Sequence, residues 1–107
     1  MVEVNRDANG NLVADPTGFP NGFAELGAWL NSQGMTFGAY TDRGDQTCGG
    51  RAGIHNHEVQ DAAFYVANNF GYLKVDSCGA SQDHQTAFAE YAAVRDALNG
   101  TGKPVTF

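Results

Sequence analysis

The chain has 107 residues, 42% of them hydrophobic and 11% aromatic, which is apolar enough to bury one core and excludes a disordered, solvated segment. Six Lys and Arg against twelve Asp and Glu give a formal net charge of −6, which excludes a general electrostatic grip on nucleic acid and favours a neutral or weakly polar partner. No apolar run approaches the roughly 20 residues that cross a bilayer, and no basic stretch followed by an apolar core opens the chain, so neither a membrane anchor nor a signal peptide is expected within it.

Residues 1–19 are rich in Asn, Asp, Gly and Pro without a sustained period, which reads as an irregular loop leading into the first helix. Pro20 to Gln33 carries Phe23, Leu26 and Leu30 at roughly helical spacing, with Pro20 suited to a first turn and Gly34 to a C-terminal cap. Gly27 interrupts this helix at a cost of about 1 kcal/mol relative to Ala. Trp29 broadens its apolar face and reads as core. Met35 to Thr41 predicts the first strand, with Thr36, Gly38, Tyr40 and Asp42 on one face and Phe37 and Ala39 on the other. Arg43 to Asn56 is a long Gly-rich loop of the kind that carries function in α/β folds. A helix is expected from about Glu58 to Asn68, its apolar stripe formed by Val59, Ala62, Ala63, Val66 and Phe70.

The central strand is Tyr72 to Val75, bounded by Gly71 and Gly79. Alternation puts Tyr72, Lys74 and Asp76 on one face and Leu73 and Val75 on the other. A Lys and an Asp on one face of such a strand are costly unless they pair or serve a site. Ser81 is a plausible N-cap for a helix to about Leu98, with Phe88, Tyr91, Val94 and Leu98 as its face and Gly100 as its stop. Lys103 to Phe107 begins another strand. The order α-β-α-β-α-β demands parallel strands joined by right-handed crossovers, and three such strands closed on nothing leave bare edges. Cys48 and Cys78 each follow a strand. Taken alone they could be free thiols, a disulfide or half of a metal site.

Several blocks are more specific than this pattern. Arg6-Asp7, Gly10, Leu12, Asp15-Pro16, Phe19-Pro20, Gly22 and Gly34 precede the block FGAYTDRGDQTCGG from Phe37 to Gly50, and YLKVDSC runs from Tyr72 to Cys78. This series resembles the melibiase family, glycoside hydrolase family 27, whose best-known members are α-galactosidases and α-N-acetylgalactosaminidases. The likeness extends from about Arg6 to Phe107. It implies an α/β fold that is a segment of a (β/α)8 TIM barrel, with about three parallel strands and three helices. Such barrels need roughly 250 residues, so residues 1–107 are expected to form an incomplete catalytic barrel domain whose remainder is missing.

Parallel barrels place their active groups where strands end, and Tyr40, Asp42, Lys74 and Asp76 all fall there. By resemblance Asp76 is the catalytic nucleophile of a retaining mechanism, attacking the anomeric carbon of an α-galactoside substrate to form a covalent intermediate. Lys74 and Tyr40 are implied to hold the sugar, and Cys48 to form pocket wall as well as a disulfide with Cys78. Asp42, where the family usually has Asp, suits a structural role holding the loop that follows it at least as well as sugar contact. The implied function is removal of terminal α-linked galactose from oligosaccharides or glycoconjugates, without metal or organic cofactor. The alternative is a non-catalytic α/β module that binds carbohydrate or a partner chain through the same strand ends. In the family the acid/base lies past the position of Phe107, and the Asp pair that grips the sugar lies ahead of Met1. The disulfide, and an N-glycosylation sequon at Asn99-Gly100-Thr101 on an expected exposed loop, suit a secreted protein or a lysosomal or vacuolar lumen.

Other features read as bland. His55, His57 and Glu58 make a poor zinc pattern and suit a polar surface. His84 suits a solvated helix start, and Arg43-Gly44-Asp45 is a short match to an adhesion triplet. Ala52, Ile54, Asn56 and the Asn68-Asn69 pair depart from the family's usual residues.

Overall fold

A computed structural model describes residues 4–107. The elements are β1 (Val4–Arg6), β2 (Leu12–Ala14), α1 (Ala24–Ser32), β3 (Phe37–Asp42), α2 (Glu58–Ala67), β4 (Phe70–Asp76) and α3 (His84–Gly100). Strands β3 and β4 are parallel, with Tyr40 beside Lys74 and Asp42 beside Asp76, and α2 is the crossover between them. The expected third strand is present only as one parallel bridge, Tyr72 to Thr106, on the opposite edge of β4. The three helices fall where the spacing predicts them, with ends shifted by a few residues.

Within the expected opening loop, residues 4–14 form a hairpin instead, and residues 1–3 lie outside the described residues. β1 and β2 pair antiparallel, Val4 with Ala14 through Arg6 with Leu12. Between them the Asp7 carboxylate accepts from the backbone N–H groups of Asn9 and Asn11, and Gly10 takes a φ of 81°. Strands of three residues are too short to show a period, and the Asx turn that joins them has loop composition. Arg6 ties this hairpin to α2: Nη1 and Nη2 each donate to the Asp61 carboxylate at 2.7 Å, and to the carbonyls of Gly10 and Gly53.

One face of the β3–β4 sheet is covered. Phe37, Ala39 and Leu73 pack there with Phe70, Ala62, Tyr65, Val94, Ala97 and Leu98. Phe23 stands among the rings of Phe19, Phe37, Phe64 and Phe70, and Phe37 stacks on Phe70 at 4.1 Å. Several residues expected on apolar faces lie outside instead: Leu26, Trp29, Val59 and Phe88 are 37%, 57%, 76% and 77% exposed. In α1 the close contact is Gly27, where a Cβ would stand 2.6 Å from the Asn68 carbonyl. Trp29, two positions on, is about 200° round the helix. In α2 the buried stripe is Asp61, Ala62 and Tyr65 rather than Val59 and Ala63. Its inclusion of a carboxylate, neutralised by Arg6, hides it from a purely apolar reading. In α3 the N-cap is Asp83, which accepts from the Thr86 N–H at 2.8 Å, and the left-handed residue past the end is Gly102 rather than Gly100.

Candidate active site at the ends of β3 and β4

Asp42 and Asp76 end two adjacent strands in register, and their surroundings differ. Asp42 is fully buried. Its carboxylate accepts from the backbone N–H of Gly44 at 2.8 Å and from that of Gly79 at 3.2 Å, so it locks the loop after β3 to the loop after β4. Those loops meet backbone on backbone. A Cβ on Gly44 would stand 2.0 Å from the Gly79 carbonyl oxygen, and one on Gly79 would stand 2.0 Å from that of Gln46. The Cys48–Cys78 disulfide closes the same junction, with Cα atoms 5.1 Å apart. That pairing agrees with the expectation from resemblance.

Asp76 is partly open to solvent. Its Oδ1 accepts from the Ser77 N–H at 2.9 Å and its Oδ2 from the Tyr40 hydroxyl at 3.2 Å, with Lys74 Nζ 3.6 Å from Oδ2. The Lys74 ammonium also lies 5.3 Å from the centre of the Tyr40 ring. The Ser77 N–H is the main cause holding the Asp76 carboxyl below its usual range, and Tyr40 and Lys74 add to it against a desolvation that opposes them. Desolvation pushes the Tyr40 phenol up, and the negative charges of Asp76 and Asp42 act in the same sense. Tyr40 therefore stays a donor and Asp76 stays an acceptor over the ordinary pH range. An ionised carboxylate with an open side, flanked by a phenol and an ammonium, can attack an electrophilic carbon.

Tyr40, Lys74, Asp76, Cys48 and Cys78 are thus brought together. The Cys48 sulfur lies 3.5 Å from Asp76 Oδ2; a disulfide sulfur has no proton, so this is wall contact. One ligand atom each of Asp42, Cys48, Asp76 and Cys78 fall within 4.8 Å of one another, but the donor set does not suit a cation. Both sulfurs are in the disulfide, and the Asp42 oxygens face backbone N–H groups. Asn99 is exposed but sits in the last turn of α3, not in a loop, and is remote in sequence from this junction. His55 pairs with Asp45 at 2.9 Å, His57 Nδ1 bonds the His55 carbonyl, and His84 is exposed at the start of α3. Arg43 and Gly44 are buried, so the Arg-Gly-Asp triplet is not displayed.

Sequence reasoning passed over the residues behind Asp76. Ser77, Arg43, Glu90 and Tyr91 form a connected polar group there. A cation directly after a strand-end Asp was its one local signal.

A melibiase family model, described as alpha galactosidase A, matches residues 1–107. The alpha-galactosidase of Saccharomyces pastorianus is 41% identical over 105 residues, covering 95% of this chain and 22% of that protein. The alpha-galactosidase A of Cellvibrio japonicus is 40% identical over 102 residues, 95% of this chain and 25% of that one. The solved structure of the Saccharomyces cerevisiae alpha-galactosidase with raffinose superposes with a TM-score of 0.90 at 37% identity, over 97% of this chain and 24% of that one. The chain spans about a quarter of the length of these relatives.

Proposed function

The chain belongs to the melibiase family of alpha-galactosidases, glycoside hydrolase family 27, and on that premise we propose that it is a segment of a (β/α)8 barrel whose β4 carries the nucleophile of a retaining α-galactosidase. The observation that supports this best is the setting of Asp76 at the C-terminal end of β4, ionised by the Ser77 N–H, Tyr40 and Lys74. In this reading Asp76 attacks the anomeric carbon of a terminal α-galactosyl unit, the bond to the leaving oxygen breaks, and water later hydrolyses the covalent galactosyl ester with net retention. Tyr40 and Lys74 hold sugar hydroxyls, and Cys48 lines the pocket. Raffinose, the sugar in the yeast neighbour's structure, ends in such a galactose, which suits oligosaccharides and glycoconjugates as the substrate class.

Retention needs a second carboxyl group about 5 Å from the nucleophile to serve as acid and then base. Asp42 lies at a tempting distance, within 4.8 Å of Asp76 between single oxygens. It does not suit the role: it is fully buried, and its oxygens already accept from the backbone N–H groups of Gly44 and Gly79, so they are committed to the loop junction rather than to a leaving oxygen. The acid/base therefore belongs to the rest of the barrel, and residues 1–107 to an incomplete catalytic domain. The disulfide supports an oxidising compartment, secreted or in a lysosomal or vacuolar lumen.

The test is a chimaera in which this chain replaces the matching quarter of the yeast enzyme. The expected result is hydrolysis of an aryl α-galactoside that Asp76→Asn lowers by about 10³-fold or more, together with mapping of a fluorinated galactosyl trapping reagent to the Asp76 peptide. A folded Asp76→Asn chimaera that keeps its rate would overturn the assignment. The 107-residue chain by itself is expected to release no galactose.

A further inference from the structure

Arg43 opens the loop after β3 and is only 3% exposed, a rare place for a guanidinium unless every donor is used. Its backbone N–H donates to the Asp76 carbonyl at 2.9 Å. Its side chain reaches α3 and the loop after β4. Nη1 donates to Glu90 Oε2 at 2.7 Å, Nη2 to the Ser81 carbonyl, and Nε to Ser77 Oγ at 3.0 Å, while the guanidinium lies 5.5 Å from the centre of the Tyr91 ring.

At Ser77 the Arg43 Nε–H donates to Oγ. The Tyr91 hydroxyl lies 2.9 Å from the same Oγ and 3.3 Å from the Val75 carbonyl. Either hydroxyl can donate in the Ser77–Tyr91 contact, and Ser77 Oγ accepts from Arg43 in both cases. Ser77 is held at once by Arg43 from the loop after β3, by Tyr91 from α3 and by Asp76 at the end of β4. Its backbone N–H is the donor to Asp76 Oδ1.

We propose that Arg43 is a positioning residue for Asp76: through Ser77, backed by Tyr91, it fixes the peptide whose N–H holds the Asp76 carboxylate in place. Its charge is neutralised by Glu90, so it acts through geometry rather than through its field. Only the catalytic consequence of this role rests on Asp76 being the nucleophile.

The experiment is a carbon-13 titration of the Asp76 carboxyl in the full 107-residue chain and in Arg43→Lys and Tyr91→Phe. Lys74 from its own strand, and Tyr40 and Asp42 from β3, face that carboxyl and are unchanged in both variants. Arg43→Lys keeps a cation beside Glu90 but loses the Nε bond to Ser77. The expected result is an Asp76 midpoint raised by about half a pH unit or more in Arg43→Lys, with a smaller rise in Tyr91→Phe. In the chimaera Arg43→Lys should lower kcat about tenfold with KM within about twofold, and the acidic limb of kcat/KM should move up. A merely structural staple would lower stability and leave the midpoint where it was. If Arg43→Lys does not fold, Tyr91→Phe decides, since it keeps the ring and the ion pair. Folded variants whose Asp76 titrates as in the parent chain overturn the proposal. Retained activity in Asp76→Asn would instead remove the nucleophile assignment and leave the titration result standing.

Discussion

Asp42 and Asp76 show how position decides what one residue type does. They end adjacent strands in register, yet one accepts from backbone amides in the dark of the junction and the other faces outward beside Lys74. Asp42→Asn would turn charge-assisted bonds into neutral ones and can point an amide donor at the Gly79 N–H. It is expected to cost about 1.5–3 kcal/mol, read as a lower urea midpoint. Asp76→Asn should lower that midpoint less, since Asp76 is only partly buried, and in the proposed reading it removes the nucleophile. Depression of the Asp76 carboxyl means that its contribution is present above the ordinary carboxylate range and is lost only as pH falls through the lowered value. His55 has the opposite sign. Its hydrogen bond to Asp45 raises it above 6.5, so the pair's small contribution is complete below that value and fades as pH rises through the raised one. Chemical denaturation at about pH 6 and pH 8 should show a loss in the parent chain that His55→Gln lacks.

At the scale of elements, the junction of the loops after β3 and β4 carries the site, and it is built from contacts that leave no room for side chains. Gly79→Ala would place a Cβ 2.0 Å from the Gln46 carbonyl oxygen, which only backbone movement can relieve. That movement pulls the Gly79 N–H from Asp42, so loss of the cooperative fold is expected in thermal unfolding. Replacing both cysteines by Ser frees a loop of separation 30 and should cost about 3 to 4 kcal/mol on the chain-entropy account, measured as the difference in unfolding free energy with the parent chain kept oxidised.

Much of this junction is legible from local sequence. Strand alternation put Tyr40 and Asp42 on one face of the first strand and Lys74 and Asp76 on one face of the second, at the strand ends, and two cysteines after parallel neighbours are close by topology; the register that sets Tyr40 beside Lys74 is seen only in the structure. The hairpin of β1 and β2 was hidden because three-residue strands carry no period. The true face of α2 was hidden because its central buried residue, Asp61, is charged and is made acceptable only by Arg6, 55 positions away. The same distance problem hides the Arg43 group, whose partners Ser77 and Glu90 lie 34 and 47 positions on. Removing the remote partner exposes the dependence: Arg6→Ala should cost about 3–5 kcal/mol, since it leaves the Asp61 carboxylate buried alone, and Asp61→Asn in the same chain should recover part of the loss.

As a whole molecule the chain combines a well-packed half with an open one. Its radius of gyration of 13.4 Å is about that of an autonomous domain of this length, so compactness does not separate a stand-alone module from a barrel segment. The sheet does. Among the described residues β3 pairs only with β4, which leaves one β3 edge bare, and on the face away from the helices Gly38, Tyr72 and Lys74 are exposed. Tyr72 is 46% exposed there, while Trp29, Val59 and Phe88 add apolar surface on the helices. A free parallel edge and uncovered apolar side chains drive association, and the net charge of −6 opposes it. Salt screens the opposing term and leaves the apolar term in place. Sedimentation of the 107-residue chain is therefore expected to show monomer at low concentration and low salt, and growing association as either is raised. A chain that stays monomeric at high concentration in about 0.5 M salt, where the Debye length falls to a few ångström, would show that its edges are satisfied without the rest of a barrel. That outcome, joined to galactose binding without hydrolysis, would favour the free-standing binding module over the enzyme segment.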